Sequence, residues 1–201
     1  MRRRTPWLAF AASAVLVATA AGTAATASGA ESGAPAGAAP AAAAAQPGGN
    51  PDTIRERLSG YQEDPLTIST TGRGQFQARV NRAADRISYR LSYAALEGTV
   101  TQAHIHFGGK AQSGGIIVFL CSNLGNGPAG TQACPPAPAT VSGTLRAADV
   151  LGPVAQGIEP GAFRELVAAV RAGKTYVNVH TTKWPAGEIR AQLGHEGHHS
   201  H

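Results

Sequence analysis

From residue 75 onwards, apolar and polar residues alternate with a period of two over much of the chain. Six segments alternate, some weakly, and a seventh is a continuous apolar run at 116–120; the alternating segments are 75–81, 86–93, 101–107, 141–145, 176–180 and 188–193. Alternation predicts a strand with one face against a core, whereas the apolar run predicts a strand that is buried on both faces.

One segment has a helical period instead. Between residues 160 and 172, apolar side chains recur at intervals of three and four, at Phe163, Leu166, Val167 and Val170. Pro160 begins this segment and Gly173 follows it, which is the usual asymmetry of a helix. Segment 54–58 fits either a helical turn or a first strand. Short strands, glycine-rich turns and a single short helix predict an all-β, antiparallel β-sandwich.

The N-terminal segment has a different composition. Three arginines at 2–4 precede a short apolar stretch at 7–21, and A-x-A sites end at Ala20 and Ala27. These features predict a cleavable signal peptide over 1–27. The alternative is a membrane anchor, but a span needs about 20 strongly apolar residues, and this stretch is shorter and dominated by alanine. We therefore expect a secreted, extracellular protein with no membrane span in its mature chain.

Two further segments flank the predicted domain, which covers residues 52–194. Residues 28–51 are rich in Ala, Gly and Pro and bury too little apolar surface to offset their ordering entropy, so we predict a disordered linker. Residues 195–201 hold four of the seven histidines. This tail is either a native His-rich tract with weak affinity for transition metals or a purification tag.

Charge changes the expected partners. The chain has 17 Lys and Arg against 12 Asp and Glu, a formal net charge of +5. Three of the arginines lie in the predicted signal peptide, which leaves a mature chain near +2. No basic cluster is visible along the remaining sequence, so we expect no nucleic-acid partner. The expected partner is an extracellular protein or a metal ion.

The two cysteines are Cys121 and Cys134. In an exported protein an even pair usually forms a disulfide, which here closes a turn-rich loop and contributes roughly 3 kcal/mol in the chain-entropy model. The alternative is a pair of free thiols for metal or redox chemistry, although their spacing is not C-x-x-C.

Several segments together resemble the CHRD domain, the module named after chordin and found in many bacterial secreted proteins. Residues 58–65, LSGYQEDP, are similar to its opening L-S-G-x-Q-E-x-P, and residues 103–108, AHIHFG, to its A-H-I-H-x-G. Residues 176–181, YVNVHT, followed by 185–190, PAGEIR, resemble its ending. Ala191 departs from that pattern, which usually has Gly there.

This resemblance implies an immunoglobulin-like antiparallel β-sandwich and makes segment 54–58 a strand. It implies no enzymatic activity, and the fold alone does not assign one.

Strand parity groups the polar residues that carry chemistry. If the apolar residues of 101–107, 176–180 and 188–193 face the core, the alternate side chains face outward. Neighbouring strands would then place one polar set on one face: His104, His106, Asn178, His180, Glu188 and Arg190. His104 and His106 would lie about 7 Å apart at the backbone. With His180 they predict a zinc or copper site, with Asn178, Glu188 and Arg190 as the surrounding polar residues.

Other interpretations of these residues stay open. The histidines form a hydrogen-bonded network that holds the strands together, or Glu188 and Arg190 are a solvated ion pair worth under about 1 kcal/mol. Two functions compete as well: a non-enzymatic extracellular binding or structural module, and a copper- or zinc-dependent oxidoreductase with superoxide dismutase-like chemistry. An enzyme needs an open coordination position, so the accessibility of the three histidines discriminates between these functions.

Overall fold

Eight strands and one α-helix form the part of the chain that the computed structural model describes, residues 53–194. The strands are β1 (Thr53–Ser59), β2 (Arg73–Asn81), β3 (Arg86–Ala94), β4 (Val100–Phe107), β5 (Ile116–Ser122), β6 (Ala139–Leu145), β7 (Thr175–Thr181) and β8 (Ile189–Leu193). The helix α1 is Phe163–Arg171, and short 3₁₀ turns lie at Gly60–Gln62, Arg82–Ala84, Ala147–Asp149 and Val154–Gln156. The predicted signal peptide, linker and His-rich tail lie outside the described residues.

All eight strands belong to one antiparallel sheet with the order β5-β4-β7-β8-β1-β2-β3-β6. The two four-stranded halves meet where β1 pairs with β8 at a single position, Ser59 opposite Arg190. At the other margin, β5 and β6 approach each other and nearly close the sheet. The predicted all-β sandwich is therefore confirmed. Its two layers are the two halves of one continuous eight-stranded sheet.

The apolar positions of the alternating segments fill the space between the two halves. Leu91, Ala103, Val177 and Val179 are completely buried there. The Tyr89 hydroxyl also crosses this interior and donates a hydrogen bond to the Leu120 carbonyl at 3.0 Å. Segment 54–58 lies in β1, as the family resemblance implied.

The predicted helix is present as α1. The four apolar residues that carried its period are all buried in the core, which is why this segment folds as a helix in a β protein. Gly173 follows it at φ 63°, a left-handed conformation that favours glycine, and its amide caps the Val170 carbonyl at 3.1 Å. No helix within residues 53–194 is long and apolar enough to cross a membrane.

The predicted disulfide between Cys121 and Cys134 is confirmed. Cys121 lies on β5, and the bridge ties the loop that follows to this strand. The Asn123 side chain holds the same loop, because its amide donates to the Cys134 carbonyl at 2.9 Å and its oxygen accepts from the Cys134 amide at 3.0 Å.

The outer face of β1, β2 and β3 corrects the expectation that no basic cluster exists. Alternation and strand register bring to this face arginines that are far apart in sequence. All are exposed, and we call this set the arginine face: Arg55, Arg57, Arg73, Arg79, Arg86 and Arg90. A cluster assembled across strands leaves no basic run in the sequence, which explains why the sequence did not reveal it.

Candidate functional site

The three domain histidines lie on neighbouring strands. His104 and His106 lie on β4, which pairs with β7, and β7 pairs in turn with β8. His104 stands opposite Asn178, which stands opposite Arg190, and His180 stands opposite Gln102. All these residues share the parity opposite to Ala103 and Val179, so they occupy the outer face of this half of the sheet.

This outer face is not exposed, which corrects the expectation that its polar residues face solvent. His104 is 0% exposed, His106 8% and His180 6%. The segments that follow β4 and β7 lie against these rings: Gly114 contacts His106 and Pro185 contacts His180. Alternation distinguishes the two faces of a strand but cannot tell whether a loop covers the second one. The half of the sheet that contains β4, β7 and β8 therefore buries polar side chains on its outer face, in addition to the apolar side chains of the core.

Backbone carbonyls determine which ring nitrogen carries the hydrogen in two of the histidines. His106 Nδ1 lies 2.9 Å from the Gly114 carbonyl, and His180 Nδ1 lies 2.9 Å from the Pro185 carbonyl. Because a carbonyl oxygen only accepts, both Nδ1 atoms carry the hydrogen and both Nε2 atoms present a lone pair. Metal-bound histidines are oriented in this way, with the second ring nitrogen donating to a carbonyl or carboxylate.

The nitrogens that point inward converge. His104 Nδ1 lies 3.2 Å from His180 Nε2, which is also 3.0 Å from Asn178 Oδ1. One ring nitrogen from each of the three histidines lies within 4.8 Å of the other two, the one such group of potential ligands found among residues 53–194. The Nε2 atoms of His104 and His106 are buried and have no hydrogen-bond partner in the described part of the chain.

Burial also keeps the three rings neutral. Desolvation lowers the pKa of His104 to about 2, assisted by the neighbouring His180 and His106. Desolvation lowers the pKa of His106 to about 4, against the opposing hydrogen bond to Gly114. The pKa of His180 is lowered for the same reason. Neutral imidazole is the form that binds metal ions.

Glu188 belongs to a separate network. Its carboxylate accepts hydrogen bonds from Thr70 Oγ1 at 2.7 Å, the Glu97 amide at 2.7 Å and Thr181 Oγ1 at 2.8 Å. These three donors join the loops before β2 and β4 to the end of β7. The interpretation of Glu188 and Arg190 as a solvated ion pair is wrong, because both side chains are buried and have other hydrogen-bond partners.

Arg190 lies beside the histidines but binds carbonyls and an aromatic ring. Its guanidinium donates to the carbonyls of Gly109 at 2.9 Å and Gln112 at 3.0 Å, and it lies 3.5 Å from the centroid of the Tyr176 ring. The His106 ring stacks on Tyr176 with a centroid distance of 4.8 Å. A buried cation therefore lies close to the histidines.

Sequence reasoning missed several residues that build this site. Gly114 and Pro185 act through their carbonyls, which leave no side-chain signal, and Phe119 packs edge-on against His104 at 4.3 Å. Glu63, buried near Arg190, was also missed; desolvation raises the pKa of Glu63 to about 8, although Arg190 opposes this shift. The Glu63 signal was available, because it is the glutamate of the LSGYQEDP segment.

Comparison with known families gives one match. The family model described as the CHRD domain matches residues 54–193, which is more than half of the chain. Comparison with curated proteins and with solved structures gave no match.

Proposed function

The chain belongs to the CHRD domain family, and from this premise we propose that it is a non-enzymatic extracellular binding module that holds one transition-metal ion, copper or zinc, between His104, His106 and His180. The observation that carries the proposal is the convergence of three neutral, buried imidazoles: one ring nitrogen of each lies within 4.8 Å of the other two, and His106 Nε2 has no hydrogen-bond partner among the described residues. The confirmed disulfide supports the extracellular assignment, because disulfides persist in oxidising compartments.

A metal ion resolves an unfavourable feature of the protein alone. Buried polar atoms without a partner cost on the order of 1–3 kcal/mol each, and His104 Nε2 and His106 Nε2 are both without one among the described residues. The hydrogen-bonded network, which is the competing interpretation, satisfies His180 but leaves these two atoms. An ion bound to His104 Nδ1, His106 Nε2 and His180 Nε2 gives His106 Nε2 a partner, whereas His104 Nε2 stays without one.

The spacing of the nitrogens suits an ion after a small contraction. Zinc–imidazole bonds near 2.0–2.1 Å place two nitrogens of a trigonal or tetrahedral site about 3.3–3.6 Å apart. The His104 Nδ1 to His180 Nε2 distance of 3.2 Å is just below that range, and all separations within the group are at most 4.8 Å. Side-chain rotations that move the ring nitrogens by roughly 1 Å would bring all three within bonding distance of one ion.

The charge of the surroundings favours copper in its cuprous form. All three ligands are neutral, and the nearby carboxylate of Glu188 is held in its own network. A divalent ion would thus keep its full charge in a buried site close to the Arg190 guanidinium, at a high desolvation cost. A monovalent ion lowers both that cost and the repulsion by Arg190.

The burial of the site favours the binding module over the oxidoreductase. Turnover needs an open coordination position and a path for substrate, whereas the three rings are at most 8% exposed. A closed, all-nitrogen site is suited to holding an ion and to stabilising the strands that supply the ligands.

The test uses protein from which residues 195–201 are deleted, because four of the seven histidines lie there and the remaining three are the proposed ligands. We expect one equivalent of copper in this protein, measured by competition with a cuprous chelator. His106→Gln keeps a hydrogen-bond donor near Gly114 but lacks the Nε2 lone pair, and it should lower copper affinity at least 100-fold while the protein stays folded. Absence of metal binding by the unsubstituted protein would mean that the histidines form only a structural network.

A further inference from the structure

The arginine face is an ordered array. Neighbouring strands lie about 4.8 Å apart, and outward residues of one strand about 7 Å apart. Across β1, β2 and β3, the register aligns Arg55 with Gln77 and Arg90, and Thr53 with Arg79 and Ser88. From the row of Arg86 to the row of Arg73 the array extends about 27 Å along the strands.

Nothing on this surface neutralises the positive charge. The outward positions of β1, β2, β3 and β6 hold no Asp or Glu; besides arginine they carry Gln, Asn, Ser, Thr and Ala. Glu56 has the opposite parity, since it pairs with the inward-facing Phe76. Within the described chain, no ion pair or side-chain hydrogen bond involves the guanidinium groups of these six arginines. In a mature protein near +2, this surface concentrates positive potential on one side of one sheet half.

An open groove crosses the strands at one end of the array. It has a volume of about 970 Å³, at the upper end of the range for small-molecule sites. Its floor is the row in which Leu58, Gly74 and Tyr93 pair, where side chains point inward and leave the backbone uncovered. The rows on either side form its walls, and each wall contributes one arginine, Arg57 or Arg73.

We propose that this groove and the arginine face bind a linear acidic polysaccharide. Guanidinium groups pair with carboxylate or sulfate through two parallel hydrogen bonds, and Arg57 and Arg73 are placed to hold such groups on a chain in the groove. The hydroxyl and amide side chains between them, such as Gln75, Ser92 and Thr140, match the hydroxyl groups of sugars. The other four arginines attract the remainder of the polyanion.

The same surface is less suited to other polyanions. Single-stranded nucleic acids bind through stacking on aromatic side chains, and no aromatic residue occupies an outward position of these four strands. Insertion into a lipid surface uses exposed apolar side chains, but the large exposed apolar residues of the described chain, Tyr61, Leu66, Leu124 and Val154, lie outside these strands. A sugar polymer needs neither feature.

The experiment measures binding of the full chain to polygalacturonate by isothermal titration at two salt concentrations. We expect binding that weakens as salt rises, and that is at least tenfold tighter than binding to neutral dextran or to an oligothymidylate of equal charge. Arg57→Gln/Arg73→Gln should weaken polygalacturonate binding at least tenfold. Arg57→Lys/Arg73→Lys, which keeps the charge without the planar fork, should lose an intermediate amount.

The matched control is Arg164→Gln/Lys110→Gln, which removes two positive charges from exposed positions outside the array and should change the affinity less than twofold. The proposal is overturned if polygalacturonate does not bind, if the oligothymidylate binds as tightly, or if the two double Gln variants lose equal affinity. The substituted residues are exposed, so thermal unfolding should give the same midpoint for all variants.

Discussion

At the scale of single residues, Gly187 and Glu63 lie in contact, and the space that the Glu63 carboxyl group occupies is free only because residue 187 has no side chain. Gly187 adopts φ 137°, a conformation that L side chains rarely adopt. A Cβ at this position would lie only 2.6 Å from the Glu63 carboxyl oxygen Oε1. These residues come from two of the CHRD-like segments, LSGYQEDP and PAGEIR. The likeness of both segments to the family therefore corresponds to one physical contact, in which a glycine makes room for a buried carboxyl group.

We expect Gly187→Ala to lower the free energy of unfolding by about 2–4 kcal/mol, because backbone strain and overpacking add. Gly130→Ala is the matched control: Gly130 also has a positive φ, 88°, but nothing lies within 4 Å of its Cβ position. That variant should lose only about 1 kcal/mol. Urea unfolding measures the free energy of unfolding of both variants. Equal losses would show that the close approach of the new Cβ to the Glu63 carboxyl group does not destabilise the protein.

Buried titratable groups predict how the metal-free protein responds to pH. His104 and His106 have folded-state pKa values of about 2 and about 4, below the ordinary 6.5. Below pH 6.5 the unfolded chain therefore binds more protons than the folded one, and acid destabilises the protein. Glu63 acts in the opposite sense: its pKa is raised from 4.5 to about 8, so its contribution to stability is lost as the pH rises through that window.

Stability should consequently peak near pH 6.5 in the presence of a chelator. Between pH 6.5 and 5 the histidines outweigh Glu63, with a net loss on the order of 1–3 kcal/mol per pH unit. Between pH 6.5 and 8 the loss comes from Glu63, so Glu63→Gln should flatten that side and, because Glu63 opposes the histidines below pH 6.5, steepen the acid side. Urea unfolding across this range is the measurement, and a protein more stable at pH 5 than at pH 6.5 would contradict the burial of neutral histidines.

At the scale of elements, the strand alternation predicted most of what the structure contains. It located β2, β3, β4, β6, β7 and β8, the continuous apolar run at 116–120 located β5, and the period of three and four located α1. The same alternation put His104, His106 and His180 on one parity, but parity carries no information about loops. The segments that cover the rings contribute the carbonyls of Gly114 and Pro185. Their positions depend on tertiary packing, so the sequence predicted that the three histidines lie together and did not predict their burial.

The loop closed by Cys121 and Cys134 gives an element-scale prediction. The cysteines are 13 residues apart, and opening a loop of this length should lower the free energy of unfolding by roughly 3 kcal/mol in the chain-entropy model. Cys121→Ser/Cys134→Ser should show this loss in urea, as should the unsubstituted protein after reduction. Thiol titration of the unfolded, unreduced protein should detect no free thiol; two free thiols would refute the bridge.

At the scale of the whole molecule, the two halves of the sheet present different chemistry. The half formed by β5, β4, β7 and β8 has polar side chains buried beneath loops, whereas the half formed by β1, β2, β3 and β6 has an uncovered basic face. A single pairing, Ser59 with Arg190, joins them within the sheet. We propose a protein that holds a metal ion in one half and binds a polyanion with the other.

The central claim, a three-histidine metal centre, is tested most directly by X-ray absorption at the copper edge. The sample is reduced, copper-loaded protein without residues 195–201. We predict three nitrogen neighbours at about 2.0 Å with the outer-shell scattering of imidazole, and the loss of one of them in His106→Gln. A first shell dominated by oxygen, or a spectrum that His106→Gln leaves unchanged, would contradict the assignment of His104, His106 and His180 as the ligands.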